Sequence, residues 1–167
     1  MADTIAQAHD LDARAARTAG LLHDLARLYS AERLIAECEA RGMPIDAFER
    51  ANPIVLHARL GAELAGELFE VRDPRVLSAI AKHTVGAAQM SPIDCAVYLA
   101  DGLEPGRDFP ERAALASLAH RDLSGAMRAT LEASVRYVQK QGMAVAPQTA
   151  AAGRTFGVPE EVFHCPN

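Results

Sequence analysis

The stretch AGLLHD, residues 19–24, places a histidine directly beside an aspartate inside an apolar run. Alanine and leucine recur here at spacings of three and four residues, and the same spacing continues along almost the whole chain, without the β-branched alternation of a strand. This periodicity predicts an all-α fold. Adjacent side chains on a helix diverge by about 100°, so His23 and Asp24 can bind one cation from two sides while the second carboxylate oxygen reaches a neighbouring cation.

Capping residues and prolines divide the chain into several predicted helices. Asp12 caps a helix that runs to about Tyr29, and Ser30 caps another that stops at Gly42. Three dipeptides place proline at a first helical position, namely Asp73-Pro74, Ser91-Pro92 and Phe109-Pro110. The apolar spacing predicts further helices over about 54–69, 74–83, 92–101 and 122–141.

Three more polar residues share the apolar setting of His23 and Asp24. His57 and His83 each lie on the apolar face of a predicted helix, and Asp101 ends a third such helix. Buried polar groups are costly without a partner, and imidazole with carboxylate suits Fe, Mn, Co and Zn. The five residues therefore predict a two-metal site for hydrolysis at phosphorus, with Asp24 and His83 as the catalytic residues.

Simpler interpretations exist for each of these residues alone. A single inward histidine is more often a hydrogen-bonded core residue than a ligand, and Asp24 could pair with Arg27 at the surface. The metal prediction depends on the conjunction of three inward histidines with two inward aspartates. The remaining histidines lack that context and are expected to be solvated; they are His9, His120 and His164.

The composition limits the class of protein. At 167 residues and 50% hydrophobic residues the chain can form one domain with a real core, which we predict over residues 1–142, followed by a mostly irregular tail over 143–167 that is mobile near Asn167. The net charge of −5 with scattered basic residues argues against nucleic acid as a partner. The alanine-rich helix faces fit either a core or a homodimer interface.

The cysteines and the hydropathy pattern indicate the compartment. Cys38, Cys95 and Cys165 are odd in number and far apart, which favours a reducing compartment and argues against a thiolate metal site. No apolar run approaches the roughly 18 residues that would span a bilayer, so no membrane association is predicted. We expect a cytoplasmic protein.

Several segments together resemble the HD superfamily of metal-dependent phosphohydrolases, and within it the YqeK family of symmetrical bis(5′-nucleosyl)-tetraphosphatases. The similarity covers about residues 2–156, and its most specific part is the last long run. The matching segments are AGLLHD at 19–24, His57-Ala58, AIAKHT at 79–84 with Gly86, YLADGLEPGR at 98–107, and Pro147-Gln148-Thr149.

The resemblance implies a single-domain HD-type helical bundle that cleaves diadenosine tetraphosphate, a dinucleoside polyphosphate, into two ADP molecules by a metal-activated hydroxide. It implies two divalent or mixed-valence metal ions, with iron favoured and Mn, Co or Zn as alternatives. His23, Asp24 and Asp101 would bind one ion, and Asp24, His57 and His83 the other, so that Asp24 bridges.

Three residues are predicted to bind the polyphosphate of the nucleotide substrate. Arg107 lies in the turn that follows Asp101, and Lys82 and Thr84 flank His83. A guanidinium or an ammonium can pair with phosphate oxygens. The alternative for Lys82 and Arg107 is an ordinary surface charge.

One feature departs from the family pattern. The family has a further histidine ligand on the helix before the HD helix, and the equivalent position falls a few residues upstream of Met1. His9 is too close to His23 to replace it, because the segment 2–8 already resembles the end of that first helix. We therefore expect the natural protein to begin upstream of Met1, which the genomic sequence tests; otherwise a mononuclear or weakly occupied site is expected.

Two other functions remain open from the sequence. One is another HD-type nucleotide phosphohydrolase, against which the turn from Glu104 to Arg107 argues. The other is a non-catalytic nucleotide-binding regulatory module, for which the missing histidine is the best support. A panel of nucleotide substrates distinguishes the other phosphohydrolase from a diadenosine tetraphosphate hydrolase. Stabilisation by a nucleotide without turnover identifies the regulatory module.

Overall fold

The structure, a computed structural model, describes residues 1–164, and every regular element in that range is helical. The prediction of an all-α fold is confirmed. Two short 3-10 helices cover Pro53–Val55 and Glu160–Phe163. The α-helices are α1 (Ala2–Ala8), α2 (Ala13–Leu22), α3 (Ala31–Ala40), α4 (Ala47–Ala51), α5 (Leu56–Phe69), α6 (Pro74–Lys82), α7 (Pro92–Gly102), α8 (Arg112–Ala119), α9 (Leu123–Lys140) and α10 (Pro147–Thr155).

Most of the predicted helix starts are confirmed by side-chain caps. The carboxylates of Asp12, Asp73 and Asp122 accept hydrogen bonds from the backbone N–H groups that open α2, α6 and α9. The hydroxyl of Ser30 does the same for α3. Since each cap satisfies a donor that the helix itself cannot pair, these residues fix where the helices begin.

Two predicted boundaries are wrong. The helix α2 ends at Leu22 and not near Tyr29, because the following backbone forms tight turns in which Leu25 N donates to Leu22 O and Tyr29 N donates to Ala26 O. Pro110 does not begin a helix: Arg112 N donates to Phe109 O, so this proline occupies the second position of a β-turn that precedes α8.

The helix α7 lies at the centre of the molecule. Its residues from Ile93 to Leu99 are buried, and they contribute to two hydrophobic clusters. One cluster joins α7 to α8, α9 and α10, and the other joins it to α1, α2, α5 and α6. Because α7 packs against both, its position is set from both sides.

The segment after Gly142 differs from the predicted irregular tail. It contains α10 and the second 3-10 helix, and Ala152, Val158 and Val162 are buried in the cluster beside α9. Small residues along α10 allow this close packing: a Cβ added at Gly153 would lie 2.6 Å from the ring of Phe163. The predicted mobility near Asn167 lies outside the described residues, and the domain boundary at residue 142 stays a prediction.

Within residues 1–164 the helices are all too short or too polar to cross a membrane.

Candidate metal centre

The five predicted ligands come together at the ends of four helices. His23 and Asp24 follow α2, His57 lies in the first turn of α5, His83 directly follows α6, and Asp101 lies near the end of α7. Their nitrogen and oxygen atoms form two groups, each with all atoms within 4.8 Å of one another: His23 with His83 and Asp101, and Asp24 with His57 and His83.

Backbone carbonyls orient all three imidazole rings. Nδ1 of His23 lies 2.8 Å from the carbonyl oxygen of Gly20, Nδ1 of His83 lies 2.7 Å from that of Ile80, and Nδ1 of His57 contacts that of Ile54. A carbonyl oxygen only accepts hydrogen bonds, so each Nδ1 of a neutral ring carries the hydrogen and donates it. Each Nε2 is then left with a lone pair, as in histidines that bind metal ions.

A contact between two of these rings tests whether the residues fit a metal ion. Nε2 of His57 and Nε2 of His83 lie 3.1 Å apart, although both are acceptors when Nδ1 is protonated. The hydroxyl of Thr84 lies 3.2 and 3.0 Å from them but can donate its one hydrogen to only one. A cation between the two nitrogens would remove this repulsion, so the residues fit a bound metal.

The carboxylate of Asp24 faces both groups. Its Oδ1 lies 3.3 Å from Nε2 of His57 and 3.7 Å from Nε2 of His83, whereas its Oδ2 lies 3.6 Å from Nε2 of His23. This arrangement suits the predicted bridging role and not the alternative pairing with Arg27. It also differs from the predicted division of ligands, because His83 is the residue common to both groups.

Burial and charge adjust the protonation of the ligands. Burial lowers the pKa of His57, and it lowers the pKa of His83 to about 4. Both rings are therefore neutral near pH 7, which is the form that binds metals. Burial opposes ionisation of Asp101, but the ring of His23 and the guanidinium of Arg107 outweigh it and lower the pKa of Asp101 to about 2. The carboxylate of Asp101, whose Oδ1 lies 3.7 Å from Nε2 of His23, in turn raises the pKa of His23.

The three predicted phosphate-binding residues have different surroundings. Arg107 is half exposed and its Nη2 lies 2.9 Å from Oδ1 of Asp101, so it borders the site. Thr84 contacts the rings of two ligands. The ammonium of Lys82 instead donates to Oδ2 of Asp94 at 2.9 Å and to the carbonyl of Gln89 at 2.8 Å. These bonds within the protein favour a structural role for Lys82 over phosphate binding.

Two of the histidines outside the site were predicted incorrectly. His9 and His120 are partly buried and not fully solvated, because α1 lies close to α8. Nε2 of His9 lies 2.7 Å from the carbonyl of Ala119, and Nε2 of His120 lies 3.3 Å from the hydroxyl of Thr4. His164 is exposed as predicted.

Two polar residues near the site were missed in the sequence. Asp94 is fully buried beneath the loop that follows His83, and its only sequence signal is its position three residues after the cap Ser91. Thr149 donates to the carbonyl of Val85, so α10 contacts this loop as well. The signal for Thr149 was the similarity of residues 147–149 to a late family segment.

The fold and the paired groups of histidine and aspartate define a protein of the HD class. The model of the HD domain family matches residues 1–106, and the chain belongs to this family. The resemblance recognised in the sequence is thereby confirmed.

Two curated proteins are similar to most of this chain. A symmetrical bis(5′-nucleosyl)-tetraphosphatase of Bacillus subtilis is 30% identical over 145 residues, which are 87% of this chain and 77% of that protein. A probable nicotinate-nucleotide adenylyltransferase/Ap4A hydrolase of Mycoplasma pneumoniae is 37% identical over 146 residues, which are 84% of this chain and 41% of that protein.

A solved structure has the same fold over most of the chain. It is the crystal structure of a predicted HD superfamily hydrolase involved in NAD metabolism from Clostridium acetobutylicum. It superposes with a TM-score of 0.89 at 31% sequence identity, and the match covers 93% of this chain and 82% of that one.

Proposed function

We propose that this protein is a metal-dependent hydrolase that cleaves diadenosine tetraphosphate symmetrically into two ADP molecules. The observation that carries the proposal is the convergence of three imidazoles, each with Nδ1 held by a backbone carbonyl, on the carboxylates of Asp24 and Asp101. The names of the relatives supply the substrate class.

The two groups of side chains support the following assignment of metal ligands. Asp24, His57 and His83 would hold one ion, and His23 and Asp101 would hold the other, with Asp24 or His83 shared. When bound, such a pair lowers the pKa of a coordinated water and neutralises charge on phosphoryl oxygens. We take iron as the metal because the family resemblance implies it, with Mn, Co and Zn as alternatives because imidazole and carboxylate suit all four.

The surrounding residues would bind and orient the substrate. Arg107 has a half-exposed guanidinium beside Asp101, and it can form paired hydrogen bonds with phosphate oxygens. The hydroxyl of Thr84 stands next to two ligand nitrogens, where it can donate to a phosphoryl oxygen. In the overall reaction one water is consumed, and one P–O bond of the oxygen that bridges the second and third phosphorus atoms breaks.

Product analysis tests the proposal directly. Purified protein is incubated with diadenosine tetraphosphate and Fe²⁺, Mn²⁺, Co²⁺ or Zn²⁺ in turn, and the nucleotides are separated by ion-exchange chromatography. We expect ADP as the nucleotide product and none after chelation. ATP with AMP would contradict symmetrical cleavage, and inorganic phosphate from mononucleotides with intact diadenosine tetraphosphate would favour a different nucleotide phosphohydrolase. Elemental analysis of untreated protein identifies the metal.

A further inference from the structure

A buried ion pair joins the end of α6 to the start of α7. The ammonium of Lys82 lies 2.9 Å from Oδ2 of Asp94, whose side chain is 0% exposed, whereas that of Lys82 is 28% exposed. The same Oδ2 accepts the backbone N–H of Ser91, and the ammonium also donates to the carbonyl of Gln89. Oδ1 of Asp94 has no hydrogen-bond partner within residues 1–164, so the charge of Asp94 depends chiefly on Lys82.

The two ends of this ion pair lie on the helices that carry metal ligands. Lys82 is the last residue of α6 and directly precedes His83. Asp94 lies in the first turn of α7, and Asp101 follows it by seven residues, which is about two turns and 10 Å along the same face. His83 lies near Asp101, and Lys82 contacts Asp94. The ion pair of Lys82 and Asp94 therefore binds the end of α6 directly to α7, about two turns from the point where His83 and Asp101 are neighbours without a bond between them.

The ion pair also closes the loop between these helices. Residues 83–91 connect α6 to α7, and the hydrogen bond from Lys82 to Gln89 joins the end of α6 to the last part of that loop. Thr84, at the start of the loop, contacts Nε2 of both His57 and His83. The carbonyl that orients the His83 ring belongs to α6 itself, so it cannot set the position of α6 relative to α7.

We propose that Lys82 is a positioning residue, which through its ion pair with Asp94 holds His83 and Asp101 at the separation that metal binding requires. This inference rests on the proposed function, and it replaces direct phosphate binding as the role of Lys82. A buried ion pair contributes little to stability but is costly to break at one end. Residues that orient metal ligands typically change metal affinity by roughly 10- to 100-fold when they are removed.

The experiment compares the removal of two ion pairs, one at each end of α6. Lys82→Met with Asp94→Asn removes both charges together, so that no unpaired carboxylate is left inside, and Asn can still accept the N–H of Ser91. Arg75→Met with Asp73→Asn is the control at the opposite end of α6, which Asp73 caps; Asp12, the second partner of Arg75, keeps its own hydrogen bond to the backbone of α2. Binding of Co²⁺ is followed by its visible absorption spectrum, and the metal-free proteins are compared by circular dichroism and thermal unfolding.

We expect the first double variant to keep its metal-free helical content, to bind Co²⁺ roughly 10- to 100-fold more weakly with an altered spectrum, and to lose kcat more than it raises KM. Lys82→Arg, which keeps the charge, should recover most of the Co²⁺ affinity. The control should bind Co²⁺ as the wild type does. If the double variant does not fold, the Co²⁺ affinity of Asp94→Asn alone tests the positioning role. This variant leaves no buried charge, because the partly exposed ammonium of Lys82 can turn to solvent.

Two outcomes would overturn the positioning role. One is wild-type Co²⁺ affinity and spectrum in the Lys82 variants. The other is a raised KM for diadenosine tetraphosphate with unchanged metal binding, which would identify Lys82 as a phosphate ligand. Wild-type protein that binds Co²⁺ without cleaving diadenosine tetraphosphate would contradict the proposed function, while the comparison of Co²⁺ affinities would still decide the role of Lys82. Wild-type protein that binds no metal would overturn both.

Discussion

At the scale of single residues, the tautomers of the three imidazoles are set by local backbone. His23, His57 and His83 each contact the carbonyl oxygen three residues earlier, in a turn at a helix end where such carbonyls are available. Each ring, when neutral, therefore presents its Nε2 lone pair before any metal arrives. This preorganisation is a consequence of where the helices begin and end.

Asp24 is the residue whose replacement should separate metal binding from folding. Its side chain is half exposed, and its two oxygens face different ligand groups. We expect Asp24→Asn to lower turnover by more than the roughly 10- to 100-fold that loss of a supporting residue costs, and to lower the metal content, with unchanged helical circular dichroism. Elemental analysis and ADP release measure both effects.

Asp10→Asn is the matched control for that substitution. Asp10 is exposed and has a left-handed backbone conformation, which asparagine also adopts readily. Full metal content in Asp24→Asn protein would remove Asp24 from the set of ligands.

The buried thiols should be chemically inert in the native protein. Burial raises the pKa of Cys38 and raises the pKa of Cys95 to about 12, so neither is a thiolate at pH 8. We expect iodoacetamide to leave both unmodified in the folded protein and to label both in 6 M guanidinium, as read by peptide mass spectrometry. Labelling of Cys95 at the rate of a free thiol under native conditions would contradict its placement. Cys165 lies outside the described residues.

At the scale of elements, the close approach of α5 to the His23–Asp24 turn is allowed by a glycine. A Cβ added at Gly61 would lie 3.3 Å from the carbonyl oxygen of His23, whereas one at Gly66, on the same helix, would make an ordinary 3.7 Å contact with the carbonyl of Val71. Both substitutions gain up to about 1 kcal/mol of helix propensity. Only Gly61→Ala also incurs an overpacking cost of about 1–3 kcal/mol.

We therefore expect Gly66→Ala to be neutral or stabilising and Gly61→Ala to be less stable than it by about 1–3 kcal/mol, with weaker metal binding because the turn that carries His23 must shift. Chemical denaturation of the metal-free variants and Co²⁺ titration measure the two effects. Equal stability and equal Co²⁺ affinity in the two variants would show that α5 does not constrain this turn.

The elements also show what the sequence could predict. Caps and prolines predicted where α2, α3, α6 and α7 begin, because these signals act within one turn of backbone. The end of α2 was wrong because residues 19–29 keep an apolar spacing although the backbone leaves the helix at Leu22. The helix α10 was missed because its small residues carry weak periodicity, and its place depends on contacts with distant residues such as Val85.

The site likewise has features that local sequence predicts and features that depend on contacts between distant residues. The sequence could predict that these five side chains converge, because each is a polar residue in an apolar segment, and the family resemblance implied which of them would share an ion. The roles of Lys82 and His83 could not be predicted in full, since they depend on how α6 packs on α7. The sequence does not identify Asp94 as a buried charge, because an aspartate three residues after the cap Ser91 is equally typical of an exposed capping box.

At the scale of the whole molecule, the site exists only when distant parts of the chain are folded together. The five predicted ligands lie on or directly after α2, α5, α6 and α7, and these helices belong to one hydrophobic cluster that continues through α7 into the second. The unfolded chain cannot bring these groups within 4.8 Å of one another. Metal binding should therefore stabilise the protein against global unfolding and not only order a local turn.

This coupling predicts the effect of metal removal. A ligand present at 100 times its Kd stabilises by about 2.7 kcal/mol, and each kcal/mol shifts the Tm of a protein of this size by roughly 2–4 °C. We expect chelation to lower the Tm by on the order of 5–10 °C and added Mn²⁺ or Co²⁺ to restore it. His57→Ala with His83→Ala should abolish the response, whereas Arg75→Met with Asp73→Asn should keep it. A rise of the same size in the His57 and His83 double variant, or on adding NaCl at matched ionic strength, would show that the stabilisation comes from general charge screening and not from ions held between the four helices.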